Sequence, residues 1–166
     1  MLLLHTANYI SLIPLTLIQL SCIYYVFYLF DMLPTFFSLR FIVGIISSIY
    51  MSQYLKKIIF PFSKLARRPD KACNCNFYAN NGIVEGHPGL PSTHMAIVGF
   101  LFMFSHLTIT KYIDNTIFFY LVNTLFLLLT AWSRYYKKCH SLLQIILGGI
   151  LGILYGYLVY HIPIPS

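Results

Sequence analysis

Five apolar runs, joined by polar connections, constrain the fold of this chain more than any other feature of its sequence. They cover residues 9–30, 35–55, 92–110, 116–132 and 141–164. A helix needs roughly 20 mostly apolar residues to cross a bilayer, and each run is near that length. Of the 166 residues, 58% are hydrophobic and 9% are charged, which is more apolar surface than a soluble core of this size can bury. The sequence therefore predicts one integral membrane domain over residues 1–166, an all-α, polytopic transmembrane bundle of about five membrane helices.

The basic residues lie mostly on one predicted face of this bundle. Five crossings would place the loops 56–91 and 133–140 on the same side, and these loops carry nine of the eleven Lys and Arg residues. Because basic loops favour the cytoplasmic side, this bias favours a cytosolic orientation. If the same cations bind phosphate, their number no longer reports orientation, so the side of the membrane stays open. The predicted location is an integral, multi-pass one, in an endoplasmic reticulum-like or other internal membrane if the context is eukaryotic.

Three short polar motifs lie at the edges of the apolar runs. They are RP at residues 68–69, PSTH at residues 91–94, and SR at residues 133–134 with His140 shortly after. A neutral imidazole can attack a phosphorus atom in line when cations neutralise the phosphate oxygens and an acid protonates the leaving oxygen. The motifs supply both kinds of group, namely His140, His94, Arg68 and Arg134. They predict phosphoryl transfer through a phosphohistidine, from which water releases inorganic phosphate.

Carboxylates are scarce in this chain. It has four, Asp31, Asp70, Glu85 and Asp114, and they are scattered along the sequence. Metal-assisted phosphoryl transfer generally uses clustered carboxylates to hold magnesium or manganese. The sequence therefore predicts a reaction with no metal and no organic cofactor.

The cysteines leave three interpretations open. Cys22 lies in the first apolar run, and Cys73, Cys75 and Cys139 lie in the polar loops. Unpaired loop thiols are the default expectation. A Cys73–Cys75 disulfide on an oxidising face is an alternative, as is a zinc site built from the three loop cysteines and a histidine.

The three motifs, in this order and at predicted membrane edges, resemble the signature motifs of the type 2 phosphatidic acid phosphatase superfamily. The resemblance covers the chain from about residue 56 to its end. The third motif of that superfamily usually has an aspartate four residues after the histidine, where this chain has Gln144. The dolichyl or polyprenyl diphosphate phosphatase branch is similar in having glutamine there and a small hydroxyl residue at the position of Thr93. These two details favour that branch.

The resemblance implies a role for each motif residue. His140 would be the catalytic nucleophile and His94 the catalytic acid. The phosphate would be bound by Arg68, Arg134 and the backbone amides near Ser92 and Thr93, because amides that open a helix point towards an anion.

The remaining site residues would support these groups. Gln144 lies one helical turn after His140 and would orient its ring, although a polar residue that lines the bundle fits equally well. Ser133 would support Arg134. The superfamily places a phosphate-binding lysine seven residues before the first-motif arginine, at Pro61 in this chain. Lys57, at the membrane edge, is favoured over Lys64 as its replacement.

The predicted function is that of a membrane lipid phosphatase, which hydrolyses a polyprenyl (dolichyl-like) diphosphate to the monophosphate and inorganic phosphate. Two alternatives stay open: a phosphatase for phosphatidic acid or another lipid monophosphate, and an inactive relative that binds lipid or scaffolds membrane proteins. The expected partners are a lipid phosphate and the membrane, with no nucleic acid. Gly148, Gly152 and Gly156 have the four-residue spacing that favours close helix packing within the bundle over homodimerisation, and the sequence does not predict an oligomeric state.

Overall fold

The protein is described by a computed structural model that covers residues 35–59, 64–76, 80–112 and 117–163, together with Tyr9 and Tyr78. These residues form four α-helices and no strand: α1 is Thr35–Tyr54, α2 is Thr93–Tyr112, α3 is Ile117–Tyr136 and α4 is Leu142–His161. A π-helix, Leu55–Ile59, continues α1, and a 3-10 helix, Lys64–Ala66, begins the loop before α2. The all-α prediction is confirmed for this part of the chain. The first predicted run, residues 9–30, lies outside it apart from Tyr9.

The four helices correspond to the last four apolar runs. Within α2 the segment Thr93–Lys111, and α4 as Leu142–His161, are long and apolar enough to cross a membrane. The count of five membrane helices stays a prediction. Helix α3 is longer than its apolar run and continues to Tyr136, so Arg134 lies on a helix and not in the predicted loop. The arginine can continue the helix because its buried guanidinium has a hydrogen-bond partner outside it, the Cys75 carbonyl.

Glycines allow α2 and α4 to approach until their backbones touch. A Cβ atom on Gly152 would overlap the backbone carbonyl of Ala96, and one on Gly148 would lie 2.7 Å from the carbonyl oxygen of Ser92. Such small residues let two helices pack backbone to backbone, as the four-residue spacing predicts. The contact places the first turn of α4 beside the first turn of α2, and thus brings the second and third motifs together.

An aromatic cluster holds α1 against this pair of helices. The rings of Phe41 and Phe104 are 5.5 Å apart, and Phe100 stacks on Phe104 at the same distance. Ile45 and Val159 complete this buried cluster. Offset and tilted aromatic pairs contribute about 0.5–1.5 kcal/mol beyond their buried area. The packing fixes the direction of α1, whose last residues and π-helix then reach the polar motifs.

The loop before α2 is held by its own backbone and by a disulfide. The Arg68 amide donates to the His87 carbonyl at 2.9 Å, and the Asn74 amide donates to the Gly82 carbonyl at 2.8 Å. Cys75 and Cys139 form a disulfide between this loop and the turn that joins α3 to α4.

The expectation of unpaired loop thiols is therefore wrong for Cys75 and Cys139, and the Cys73–Cys75 pair and the cysteine-based zinc site are not formed either. The loop brings the Cα atoms of Cys75 and Cys139 to 5.4 Å, which is within the range that a disulfide requires, and Cys73 is a free cysteine. A contact across 64 residues of sequence leaves no local signal that could have predicted it.

Candidate active site

A cavity of about 210 Å³ lies where the π-helix, the loop before α2, the start of α2 and the turn before α4 meet. It is smaller than the roughly 300–1,000 Å³ clefts that enclose drug-sized molecules, so it suits a headgroup better than a whole lipid. The residues that line it are Gln53, Lys56, Lys57, Arg68, Cys75, Asn76, Thr93, His94 and His140. Residues from all three motifs therefore face one cavity.

His140 lies in the turn directly before α4 and is 2% exposed. The helix begins with a capping box, in which the Ser141 hydroxyl accepts from the Gln144 amide and the Gln144 side chain accepts from the Ser141 amide. This cap fixes the backbone next to the ring. The His140 Nδ1 is 3.3 Å from Gln144 Oε1, and its Nε2 is 3.5 Å from Arg68 Nη1.

The electrostatic surroundings keep the His140 ring neutral. Burial, followed by the positive charges of Arg68, Arg134 and Lys56, holds the pKa of His140 well below its usual range. An imidazole is a nucleophile only in its neutral form. His140 therefore has the protonation state that attack on phosphorus requires.

The second motif opens α2. His94 is the second residue of the helix, is buried, and lines the same cavity as His140. The Thr93 hydroxyl accepts a hydrogen bond from Lys56 Nζ at 3.1 Å. The Ser92 amide donates to the Gln144 carbonyl at 3.2 Å, so this amide is already engaged and is not free for the phosphate contact expected of it.

Two arginines from different elements converge behind the histidines. Arg68 Nη1 donates to the Cys139 carbonyl at 2.8 Å, and burial lowers the pKa of Arg68 to about 10. Arg134 is fully buried, and its Nη2 donates to the Cys75 carbonyl. Its Nε and Nη1 have no hydrogen-bond partner among the described residues. A guanidinium with two unused donors in a buried site is suited to bind an anion.

Ser133 does not reach the cavity. Its hydroxyl donates to the Thr130 carbonyl at 2.9 Å within α3, and its side chain is fully buried. The contribution of Ser133 is to the helix that carries Arg134.

Lys56 reaches further into the site than Lys57, the lysine predicted from the sequence. Lys56 is partly buried and bonds to Thr93, whereas Lys57 is exposed at the mouth of the cavity and Lys64 is exposed outside it. Burial, with repulsion from Arg68, Arg134 and Lys57, lowers the pKa of Lys56 to about 7. Neither Lys56 nor Lys57 has the seven-residue spacing of the superfamily motif, so the sequence could not decide between them, and the contact of Lys56 with Thr93 is seen only in the structure.

Three further cavity residues had no sequence signal. Gln53 lies at the end of α1, and Cys75 and Asn76 lie in the loop before α2, outside all three motifs. Loop contacts bring them to the cavity: the Asn81 side chain accepts from the amides of Cys75 and Asn76. Such a wall is visible only in three dimensions.

The charges around the cavity are positive. Lys56, Arg68, Arg134 and Lys137 are partly or fully buried around it. Asp70 and Glu85, the two carboxylates in the described part of the chain, are exposed and do not line the cavity. Among the described residues, no cluster of three or more His, Cys, Asp or Glu side chains could hold a metal ion. The arrangement is suited to bind a multiply charged anion next to two imidazoles.

Comparison with known proteins gives the family of the chain. The family model described as the PAP2 superfamily matches residues 37–165, which include all three motifs, helices α2, α3 and α4, and all of α1 except its first two residues. No curated protein and no solved structure matches the chain. The resemblance drawn from the motifs is confirmed at the level of the superfamily, and the polyprenyl diphosphate branch stays a prediction. The chain belongs to the PAP2 superfamily, whose members are phosphatases that act on phosphate esters.

Proposed function

We propose that this protein is an integral, multi-pass membrane phosphatase that hydrolyses a polyprenyl diphosphate to the monophosphate and inorganic phosphate. One observation carries the proposal: His140 and His94 line the same cavity as Lys56 and Arg68, beside the buried Arg134. Membership of the superfamily points to lipid-like phosphates as the substrate class. The polyprenyl diphosphate is the finer assignment that the proposal adds.

The size and charge of the cavity support a diphosphate headgroup. A volume of about 210 Å³ leaves the lipid tail outside, where α4 exposes apolar side chains that a bilayer would cover. The four cations around the cavity exceed what a monoester of charge about −2 needs for neutralisation. A diphosphate has more phosphate oxygens that can contact these cations. The residues Thr93 and Gln144, at which the chain is similar to the diphosphatase branch, support the same choice.

The proposed first step is attack by His140. The lone pair on Nε2 forms a bond to the terminal phosphorus while the bond from that phosphorus to the bridging oxygen breaks. Lys56, Arg68 and Arg134 bind the nonbridging oxygens, whose charge must be stabilised in the transition state. His94, which takes up a proton when the anionic headgroup binds, donates this proton to the bridging oxygen, and the lipid monophosphate leaves.

The second step releases the phosphate. A water molecule attacks the phosphorus of the phosphohistidine and gives a proton to His94, which lost one in the first step. The bond between phosphorus and Nε2 breaks, and its electron pair returns to the imidazole. Inorganic phosphate leaves, and both histidines are restored to their starting states. This sequence of steps uses no metal ion, and metal independence stays a prediction that the chelator in the test below addresses.

The disulfide supports an oxidising compartment for the cavity, in contrast to the cytosolic orientation that the charge bias favours. Disulfides persist on extracytosolic faces and are rare in the cytosol. Of the nine basic residues on this face, Lys56, Arg68, Arg134 and Lys137 are partly or fully buried around the cavity. Because these four residues belong to the site, only the other five basic residues on this face report the topology, and five are a weaker signal than nine.

The test is release of inorganic phosphate from a polyprenyl diphosphate by the protein purified in detergent, with a metal chelator present. We expect His140→Ala to abolish release and His161→Ala, at the far end of α4 and exposed, to leave it unchanged. Substantial release by folded His140→Ala would overturn the mechanism. Faster release from phosphatidate than from the diphosphate would favour the lipid monophosphate alternative, and headgroup binding without release from any lipid phosphate would favour an inactive relative.

A further inference from the structure

We infer that Gln144 is a positioning residue, which fixes the proton of His140 on Nδ1 and joins the segments that carry the three motifs. This inference rests on the proposed phosphatase function and goes beyond it in one respect. It requires an amide at position 144 and excludes a carboxylate, although the superfamily usually has an aspartate there.

The amide of Gln144 uses all of its hydrogen-bonding capacity. Its Nε2 donates to the carbonyl oxygens of Leu65 at 2.9 Å and Arg67 at 2.8 Å. Its Oε1 lies 3.3 Å from both His140 Nδ1 and the backbone amide of Ser141. Two donors and two acceptor sites are the full capacity of a glutamine side chain, and the residue is fully buried.

These partners determine which way the amide points. The carbonyl oxygens of Leu65 and Arg67 can only accept, so the group that faces them must be the NH₂. The Ser141 amide can only donate, so the group that faces it must be the oxygen. Both constraints give the same orientation, in which Oε1 faces the histidine ring.

This orientation determines the tautomer of His140. Since Oε1 can only accept, the neighbouring Nδ1 must carry the proton of the neutral ring. The other nitrogen, Nε2, is then unprotonated. The contact of Nε2 with Arg68 Nη1, at 3.5 Å, agrees, because Nη1 can only donate. The lone pair of Nε2 is therefore directed to the side where Arg68 would hold a phosphate.

Gln144 also connects the other two motifs to this ring. Its side chain bonds to the residues directly before Arg68, and its backbone carbonyl accepts from the Ser92 amide at 3.2 Å. Gly89 leaves room for the arrangement, because a Cβ atom there would lie 2.7 Å from Gln144 Oε1. A single residue thus sets the relative positions of the nucleophile, the first-motif arginine and the start of α2.

A carboxylate could not replace this amide. Glutamate has the same length but no donor, so it would place a negative charge against the carbonyl oxygens of Leu65 and Arg67. Aspartate is also shorter by one methylene and would not reach both carbonyls while it contacts the ring. The stronger acceptor that a carboxylate offers to His140 would come with the loss of both bonds to the first-motif segment.

The experiment compares Gln144→Glu and Gln144→Met with the wild type over a range of pH. We expect Gln144→Glu to lower kcat/KM about tenfold or more at pH 8, since two buried carbonyls lose their donor. As the pH falls and the glutamate becomes protonated, it regains one donor and the loss should shrink. Gln144→Met has no such proton, so its loss should be the same fraction at each pH. The charged and titratable groups that face His140 in these proteins are Arg68, Arg134, Lys56 and His94, which the variants leave unchanged.

A spectroscopic measurement tests the tautomer without turnover. In ¹⁵N-histidine-labelled wild type, with His140→Ala for assignment, the His140 signals should be those of a neutral ring protonated on Nδ1. A proton on Nε2, or a Gln144→Glu protein with wild-type kcat/KM at every pH, would overturn the inference. If the wild type releases no phosphate but shows the Nδ1 proton, the proposed function fails and the positioning role stands.

A second variant covers the case in which changes at position 144 prevent folding. Gly89→Ala introduces a Cβ atom against Gln144 Oε1 and Arg68 Cγ without removing the amide. We expect it to lower kcat/KM in the same direction, with a shift of the His140 Nδ1 signal. A wild-type signal and wild-type kcat/KM in Gly89→Ala would count against the inference.

Discussion

Replacement of Lys56 by methionine tests the part of the site that only the structure identified. Lys56 Nζ lies 3.1 Å from Thr93 Oγ1, in the wall of the cavity that also contains His94 and His140. Methionine keeps most of the length of the side chain and removes its charge. The variant should therefore bind the phosphate less well while the cavity keeps its shape.

The size of the loss follows from the kind of contact that is removed. A hydrogen bond between a charged group and a partly buried partner contributes about 1.5–3 kcal/mol. At 1.36 kcal/mol for each tenfold change in rate, this corresponds to a loss in kcat/KM of about 10- to 150-fold. The estimate applies when Lys56 is protonated, since the neutral amine carries no charge to lose.

The pKa of Lys56 determines whether kcat/KM rises or falls with pH. The pKa of Lys56 in the free protein is about 7, so the ammonium form prevails below this value and is lost above it. Because kcat/KM reports the free enzyme, it should fall as the pH rises through about 7 in the wild type. Burial and the nearby cations hold the pKa of His140 well below its usual range, so His140 loses no proton as the pH rises through about 7. In Lys56→Met the fall in kcat/KM near pH 7 should be smaller than in the wild type, and the fall that remains would report the catalytic acid His94 and Lys137, whose pKa burial and Arg134 lower to about 8.

The assay is phosphate release from a lipid diphosphate between pH 5.5 and 9, with Lys57→Met and Lys64→Met for comparison. Lys57 is exposed, so Lys57→Met should lower kcat/KM less than Lys56→Met does. Because Lys57 repels the charge on Lys56, its removal should also raise the pKa of Lys56 and shift the fall in kcat/KM to higher pH. Lys64→Met should match the wild type because Lys64 is exposed outside the cavity. Wild-type kcat/KM in Lys56→Met at pH 6, or an unchanged fall in kcat/KM near pH 7, would refute the assignment of Lys56.

Two other predictions concern the framework of the site. Gly152→Ala should destabilise the protein by about 1–3 kcal/mol, seen as a lower melting temperature in detergent, because its Cβ atom would overlap the Ala96 carbonyl. Gly149→Ala is the matched control, since its Cβ atom would meet only Met95 Cε at 3.6 Å, and equal melting temperatures would contradict the packing described for α2 and α4. Reduction of the Cys75–Cys139 disulfide should lower phosphate release, because it frees the loop whose Cys75 carbonyl holds Arg134. Mass spectrometry after alkylation would follow the reduction, and unchanged release from the fully reduced protein would show that the disulfide does not support the site.

The sequence predicted the helices well where the signal is local. Apolar runs of about 20 residues correspond to α1, α2, α3 and α4, and the described residues contain no strand. The predicted end of α3 was wrong: the helix extends past its apolar run because the buried Arg134 has a hydrogen-bond partner in a distant loop. Helix propensity and hydropathy are local properties, so they do not predict a contact between residues that are distant in sequence.

The three motifs and the superfamily could also be inferred from the sequence. Residue types and their order carry this information, and the match to the PAP2 superfamily over residues 37–165 confirms it. The sequence could further suggest that Gln144 contacts His140, since residues four apart share a helix face. The structure places the two side chains 3.3 Å apart.

Only the tertiary structure decided the contacts between segments that are distant in sequence. The π-helix turned Lys56 and not Lys57 towards Thr93, the loop paired Cys75 with Cys139, and Gln144 bonded to the backbone before Arg68. Each of these depends on where one element lies against another, which is set by the packing of α1, α2 and α4 as a whole. The local residue pattern thus determines which chemical groups this protein can use. Which lysine contacts Thr93, which cysteines pair and which tautomer His140 adopts depend on distances between segments, and these are set only when the helices pack.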